Sequence, residues 1–320
     1  MSEFLYDLVG IGNAPIDAIA KTGNDFLEKN GLIEGALTVI NKKTADDLLS
    51  QLSNVELIPG GGSANVCANL AKLGGRAAFQ GRVGSKDKGD LFIQSLKDLD
   101  IETSAIMKDP ENGTMFIIIP ITANGERSFA AYYGATGRLG PENVDVEQIS
   151  KSKAIYIEGF NLISPTSFEA YQKAVKAMKA AGGKVCFGVS DVTIIEKYKE
   201  EVPWLIEQAD LVFMNEEEAY TLCQTRNMDE VLKALIARQV SAVITRGALG
   251  VYIVNAIWKK ASFYMIDPLP QEQIVNMNGA GDAFTGGFLY GVLNDKGEAG
   301  CVQLGFEMAR AIIQKSGPRP

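Results

Sequence analysis

Four residues carry the most chemistry for their length: Gly279-Ala280-Gly281-Asp282. They follow Asn276-Met277-Asn278 and lead into an apolar stretch with Ala283, Phe284, Phe288, Leu289, Val292 and Leu293, which predicts a turn opening directly into a helix. Two glycines in such a turn let consecutive backbone N–H groups converge, and the four unpaired N–H groups of a helix start carry partial positive charge. The result is a cradle for an anion. An aspartate beside it can take a proton from a hydroxyl held in line with a phosphoryl group, while the N–H groups stabilise charge developing on the phosphate oxygens. Taken alone, the same residues are an ordinary helix cap with an acidic first-turn residue. The rest of the sequence tips the balance toward chemistry.

Three further stretches offer complementary groups. Pro59-Gly60-Gly61-Gly62-Ser63-Ala64-Asn65 follows a short strand, Val55 to Ile58, and precedes a helix, Val66 to Leu73. It is either a plain turn or a place where backbone approaches a ligand closely, with Asn65 supplying both a donor and an acceptor. Asn215-Glu216-Glu217-Glu218 begins right after an apolar strand; Asn215 and Glu218 can approach phosphate-bound water and Mg²⁺ from one side, although an acidic run is also a common helix start. Thr245-Arg246-Gly247-Ala248-Leu249-Gly250 is another glycine turn after a strand, where a hydroxyl and exposed N–H groups suit a nucleotide's phosphates.

Gly10-Ile11-Gly12-Asn13-Ala14-Pro15 has the outline of a dinucleotide fingerprint, but Pro15 stands where the third glycine belongs. The following Ile16-Asp17-Ala18-Ile19-Ala20 alternates like a strand rather than opening a helix, so an NAD-linked oxidoreductase is set aside. Asp17 then lies at a strand mouth on the face opposite Ile16. It is either a turn residue or an acceptor for substrate hydroxyls.

The sequence contains no histidine. That excludes Ser-His and Cys-His nucleophiles, HExxH zinc sites and imidazole acid–base work, leaving Asp, Glu, Lys, Tyr or Cys as general base. With 31 Lys plus Arg against 39 Asp plus Glu, the net charge of −8 argues against a nucleic-acid surface. No apolar run reaches membrane-spanning length and the first twenty residues lack the layout of a leader, so a cytoplasmic location and no membrane partner are expected. Cys67, Cys186, Cys223 and Cys301 are far apart in apolar segments and read as reduced core residues.

The elements that must position these groups are legible as a pattern. Strands at Phe4 to Ile11, Ala36 to Ile40 and Ala77 to Val83 alternate with helices at Asp25 to Gly31, Ala45 to Leu52 and Lys88 to Leu99. Thr114 to Ile119 and Arg127 to Tyr133 form two β-rich runs joined by an Asn-Gly turn, with no helix between them, which predicts a small β-layer beside a main sheet. From Ala154 to Thr245 strands and helices alternate, including one helix over Glu196 to Gln208 and a helix over Met228 to Arg238. This predicts a parallel sheet covered on both faces, with ligands at the carboxyl ends of its strands, where Asp191, Asn215, Glu218, Thr245 and Asp282 fall. A hairpin over Gly250 to Asn255 and Ser262 to Ile266 and a closing helix, Val302 to Lys315, complete the chain.

These motifs, in this order, resemble those of the ribokinase-like (PfkB) carbohydrate and nucleoside kinases over nearly the whole length. The resemblance rests on the glycine turn ending in Asn65, Asn215 with Glu218, Thr245 with Gly247 and Gly250, and Gly279 to Asp282. It implies a three-layer α/β/α fold in a single domain over residues 1–320, with a central mostly parallel sheet and a small β-sheet lid drawn from about residues 15–20, 36–58 and 114–133. It implies transfer of the γ-phosphoryl group of ATP to a hydroxymethyl oxygen, with Asp282 as base and Gly279, Ala280 and Gly281 in the anion hole. Asn215, Thr245, Gly247 and Gly250 would hold ATP, and Glu218 would hold Mg²⁺ through water. Asn13, Asp17, Gly61, Gly62 and Asn65 would meet the acceptor, with Arg127 a further contact, and the lid would exclude water.

Gly12-Asn13 with Asp17, the Tyr156 to Phe160 stretch followed by Ser164-Pro165, and the residues from Asn278 to Phe288 are most similar to adenosine kinases. A nucleoside, adenosine first, is therefore the expected acceptor; the alternatives are a ribose- or fructose-type sugar kinase and a ligand-binding pseudokinase. The family usually carries Asp-Thr where this sequence has Asn276-Met277, beside a loop that in many members surrounds a monovalent cation, so weak or absent potassium activation is expected. Ser63 and Cys67 also depart from the family's usual small residues. Both a monomer and a homodimer are compatible with the pattern.

Overall fold

A computed structural model describes residues 4–23 and 25–320. Its strands are β1 (Tyr6–Ile11), β2 (Pro15–Lys21), β3 (Leu37–Val39), β4 (Glu56–Pro59), β5 (Ala77–Gly84), β6 (Ile106–Asp109) and β7 (Met115–Ile121), then β8 (Phe129–Tyr132), β9 (Ser152–Glu158), β10 (Lys184–Gly188), β11 (Leu211–Asn215), β12 (Ala242–Thr245), β13 (Val251–Asn255) and β14 (Lys260–Tyr264). They form a nine-stranded sheet in the order β14-β13-β12-β11-β10-β9-β1-β5-β6 and a five-stranded sheet in the order β3-β8-β7-β2-β4.

The large sheet is parallel from β12 to β6, and only the β12–β13 and β13–β14 pairs are antiparallel. Its central strands read as continuous apolar runs because both faces are covered. Side chains alternate between two packed layers. Leu8, Ala154, Tyr156, Cys186 and Phe213 join the core built with the helices Gly62–Lys72, Ala280–Leu293 and Gly297–Ile313. Val9, Ile155, Ile157, Val185, Phe187 and Val212 join the core built with Ser167–Ala180, Glu201–Gln208 and Met228–Ala237. All the crossovers therefore leave their strands' carboxyl ends on one edge, where loops can gather around a ligand.

The small sheet begins three residues after β1 ends, since only Gly12, Asn13 and Ala14 separate β1 from β2. Alternation in β2 sets its two faces: Ile16, Ala18 and Ala20 are buried, while Asp17 and Ile19 face a cavity. The opposite side of this sheet is covered by the helix Lys42–Gln51, which packs on β7 and β8 through Ala45 and Leu48. That helix is started by Asn41, whose side chain accepts from Thr44 N.

Several elements differ from the sequence expectation. The helix after the glycine turn starts at Gly62, not Val66, so Asn65 lies within its first turn. The expected helix over Glu196 to Gln208 is two helices, Val192–Lys197 and Glu201–Gln208. Pro203 explains the break: without an N–H and with its ring against the carbonyl four residues back, it fits only the first turn of a new helix. β6 was not anticipated, because its exposed Met107 and Lys108 hide the periodicity of an edge strand. The closing helix starts at Gly297, five residues before the expected Val302.

Candidate active site

A cavity of about 950 Å³ lies at the carboxyl ends of the parallel strands, between the two sheets. Its floor brings together Asn13, Asp17, Gly61, Gly62, Asn65, Gly279, Gly281 and Asp282, and its far side carries Asp191, Asn215, Glu218 and Thr245. Ala280, Gly247, Gly250 and Arg127 are not among its lining residues.

The Gly279 turn takes the shape its residues require. Gly279 has φ of +79°, and a Cβ there would meet Pro318 at 2.5 Å. The helix Ala280–Leu293 then begins, with Ala280 N donating to Met277 O. Gly281 is different: beyond its own helix turn and chain neighbours, nothing lies within 4 Å of where its Cβ would be, so a side chain would only take up cavity space. A bare glycine at that position leaves first-turn N–H groups open to a ligand.

Asp282 sits at the base of this cradle. Its Oδ2 accepts from Asn65 Nδ2 at 2.9 Å. Burial pushes its carboxyl up to about 6, while the Asn65 hydrogen bond and the Arg319 charge pull in the other direction. A carboxylate with that affinity is still mostly ionised near neutrality and is a stronger base than an exposed aspartate.

Asp17 faces the same floor from β2. Burial raises its carboxyl to about 7 against the pull of Arg319, and its Oδ1 is buried with no hydrogen-bond partner. An acceptor left unpaired in this way suits ligand hydroxyls. The glycine turn makes room for it: a Cβ on Gly60 would press on Asp17 Oδ2 at 3.1 Å, and Gly61, with φ of +97°, would meet Asn13 O at 2.4 Å.

Glu158, at the end of β9, is a site residue that the sequence did not announce. It is 2% exposed, and its carboxylate accepts from Asn13 N at 2.8 Å and Ser63 N at 3.0 Å. It therefore ties the end of β1 to the glycine turn. Cβ atoms on Gly12 or Gly62 would strike its oxygens at 2.4 and 2.3 Å. Burial raises its carboxyl to about 7, backbone donors lower it, and the Asp282 charge raises it further. Tyr171 fixes the strand end by donating to Glu158 O at 2.7 Å.

Asn215 and Glu218 form a reciprocal capping box. Asn215 Oδ1 accepts from Glu218 N at 2.9 Å and Glu218 Oε2 accepts from Asn215 N at 3.0 Å. The ordinary helix-start reading of these residues is thus satisfied, yet both also line the cavity. Burial pushes Glu218 up to about 7 and Asp191 raises it further, while the Asn215 N–H lowers it. No group of three or more His, Cys, Asp or Glu side chains able to hold a metal occurs among the described residues. Glu218 and Asn215 at the cavity wall are oxygen donors of the kind that reach Mg²⁺ through its water.

Thr245 ends β12 and reaches the cavity, whereas Gly250, with φ of +125°, serves a backbone contact: a Cβ would meet Tyr264 O at 2.1 Å. Gly247 is left-handed at φ +54° with open space around its Cβ position. Arg127 donates to Asn276 Oδ1 at 3.4 Å, linking the small sheet to the loop before the Gly279 turn. Asn276 Nδ2 in turn donates to Ser316 O at 2.8 Å.

Two groups of residues here escaped sequence reasoning. Ile19, Leu37, Ile119 and Phe129 give the cavity an apolar wall on the small sheet, and Tyr133 and Phe160 also line it. Residues 316–319 pack against the floor, with Pro318 buried on Gly279 and Arg319 reaching Asn65 and Gly60. The signal for Glu158 was available: a carboxylate closing an otherwise apolar strand at its carboxyl end. Arg319 had none.

Comparison with known proteins agrees with this architecture. Residues 25–320 match the family described as pfkB family carbohydrate kinase. The chain is 29% identical to adenosine kinase 1 of Arabidopsis thaliana, over 99% of this chain and 96% of that protein. It is 30% identical to a fructokinase of Vibrio alginolyticus, over 72% of this chain and 75% of that protein. The crystal structure of adenosine kinase from Sinorhizobium meliloti superposes with a TM-score of 0.88 at 32% identity, covering 98% of this chain and 96% of that one. The α/β architecture with its large, mostly parallel sheet and second, smaller sheet is ribokinase-like. The chain belongs to the pfkB family of carbohydrate kinases and is a phosphotransferase with an alcohol group as acceptor.

Proposed function

We propose that this enzyme is a nucleoside kinase, with adenosine the favoured acceptor and MgATP the donor. The observation that carries the reading is the lining of the cavity: beside the polar Asp17, Asn65 and Asp282 it has an apolar wall from Ile19, Ile119 and Phe129 of the small sheet, and Phe160 also lines it. A free sugar would fill only the floor and leave that apolar surface wet. A nucleoside would place its ribose hydroxyls on Asp17 and its base among the aromatic and aliphatic side chains, where ring contacts are worth about 0.5–1.5 kcal/mol beyond area burial.

In this reading Asp17 accepts from the ribose hydroxyls and Asn65 and Asp282 address the hydroxymethyl oxygen. Asp282 takes the hydroxyl proton as that oxygen attacks the γ-phosphorus of ATP; the bond to the β,γ-bridging oxygen breaks and ADP leaves. First-turn N–H groups at Gly281 and Asp282 meet the negative charge spreading over the transferring phosphoryl oxygens. Mg²⁺, when bound through water near Asn215 and Glu218, supplies charge neutralisation along the donor's phosphates. The small sheet acts as a lid, with Arg127 held near the site through Asn276, and excludes water that would otherwise accept the phosphoryl group.

The test is ADP release from MgATP with adenosine, guanosine, inosine, cytidine, ribose, fructose and fructose 6-phosphate as acceptors. Turnover that depends on a nucleoside supports the reading. Turnover with a sugar alone keeps the chemistry and replaces the substrate, and ATP binding without any turnover points to a pseudokinase.

A further inference from the structure

Arg319 approaches the site from outside every motif discussed so far. After the helix Gly297–Ile313 the chain turns back along the loop that precedes the Gly279 turn. Val275 N donates to Ile313 O at 2.8 Å, Asn276 Nδ2 to Ser316 O, and Pro318 covers Gly279. This strap delivers the Arg319 guanidinium beneath the cavity floor, with its Cζ 5.0 Å from the Phe92 ring centroid. Arg319 Nε donates to Asn65 Oδ1 at 3.1 Å, one terminal nitrogen donates to Gly60 O at 2.6 Å and the other to Ser95 Oγ.

The chemistry of these partners fixes a direction. A guanidinium can only donate, so it holds the oxygen of the Asn65 amide and turns the NH₂ toward Asp282. An ionised Asp282 can only accept, and the Asn65 Nδ2 donor meets it at 2.9 Å. Without the guanidinium, nothing forbids the amide from rotating its oxygen toward a protonated Asp282. The bond to Gly60 O acts on the other half of the floor, because Gly60 lies against the Asp17 carboxylate.

Resting on the kinase reading above, we propose that Arg319 is a positioning residue for phosphoryl transfer, orienting the Asn65 amide toward the base and holding the glycine turn against Asp17 in one fork. It touches neither the acceptor nor the donor. Its function is to set the geometry and local charge felt by two carboxylates that do. The Asp282 charge in turn raises Glu158 and Tyr156 of β9, and Arg319 is a cation that acts on both Asp17 and Asp282.

Two variants separate its geometry from its charge. Arg319→Met keeps volume and loses both; Arg319→Lys keeps charge and loses the fork. Each is assayed for kcat, KM and melting temperature, and the Asp282 carboxyl is titrated by ¹³C NMR, with Asp282→Asn providing the assignment. Arg319→Met is expected to lower kcat by about 10- to 100-fold, the usual cost of small misplacement at a reacting group. It should raise the Asp282 midpoint by about one pH unit, as loss of a nearby opposite charge does. Arg319→Lys should return the midpoint toward that of the parent while kcat stays low.

Parental kcat in Arg319→Lys, or a parental kcat and midpoint in a folded Arg319→Met, overturns the proposal. If Arg319→Met does not fold, the lysine variant decides. If the parent turns over no acceptor, the kinase reading fails separately, and the NMR midpoint still tests the link from Arg319 to Asp282.

Discussion

Asn65 donates to Asp282 at 2.9 Å across 217 residues of sequence, joining the first turns of two different helices at the floor of one cavity. Each helix has a glycine with positive φ at its N-cap, Gly61 and Gly279, and each contributes a polar side chain from its opening residues. The two starts together leave the Asp282 carboxylate hydrogen-bonded on one oxygen, with its other oxygen near Gly62.

Replacing Asp282 by Asn removes the proton acceptor but keeps the shape. Turnover should fall by roughly 10²- to 10⁴-fold, the worth of a positioned general base. ATP binding, measured by calorimetry, should remain close to that of the parent. Parental turnover would exclude Asp282 from this role.

The same residue gives the enzyme an acid limb. Only the ionised carboxylate accepts a proton, so kcat/KM should decline as pH falls through about 6, the value to which burial raises it. The stability effect has the opposite sign. A carboxyl raised from 3.8 to about 6 binds more protons in the folded state, so its contribution is full below 3.8 and lost as pH rises through 6. Asp282→Asn should therefore melt higher than the parent at pH 8, by on the order of 5 °C for about 3 kcal/mol, and lose that advantage below pH 4. A constant difference across pH would contradict the assignment.

Gly281 and Gly62 should respond differently to alanine. Beyond its own helix turn and chain neighbours, nothing lies within 4 Å of a Gly281 Cβ, so Gly281→Ala should fold with unchanged or slightly raised stability. Its turnover should still drop, because the methyl group occupies the cradle. Gly62→Ala drives a Cβ to 2.3 Å from Glu158 Oε2 and should cost about 1–3 kcal/mol in a urea titration.

Phe160 tests the acceptor. If it lies against a base, Phe160→Ala should raise KM for adenosine by about 5- to 100-fold, matching roughly 1–3 kcal/mol for base–aromatic stacking. Turnover at saturating adenosine should change far less. An unchanged KM would move the base elsewhere in the cavity.

Asn276 bears on monovalent cations. Its amide Nδ2 already donates to Ser316 O, a direct bond that an aspartate could not make. Rates in potassium, sodium and choline buffers should agree; strong activation by potassium alone would show that a cation still binds there.

Much of the candidate site was legible because it is written in contiguous residues. A glycine turn running into an apolar helix specifies its own backbone, so the Gly279 and Gly60 turns could be found without knowing what surrounds them. Alternation alone put Asp17 opposite Ile16, as β2 has it. Arg319 was illegible because its meaning is supplied by a partner 254 residues away, Asn65, and Glu158, visible as a carboxylate closing an apolar strand, takes its role only from partners 145 and 95 residues away. The Glu196 to Gln208 helix failed for a local reason, since apolar periodicity continued through Pro203 where hydrogen bonding could not.

The strap that carries Arg319 also acts as a long-range clasp. The guanidinium closes contacts with Asn65 Oδ1 and Gly60 O across 254 and 259 residues of sequence. Local opening of residues 316–319 would therefore free the Asn65 amide while both sheets keep their strand pairing.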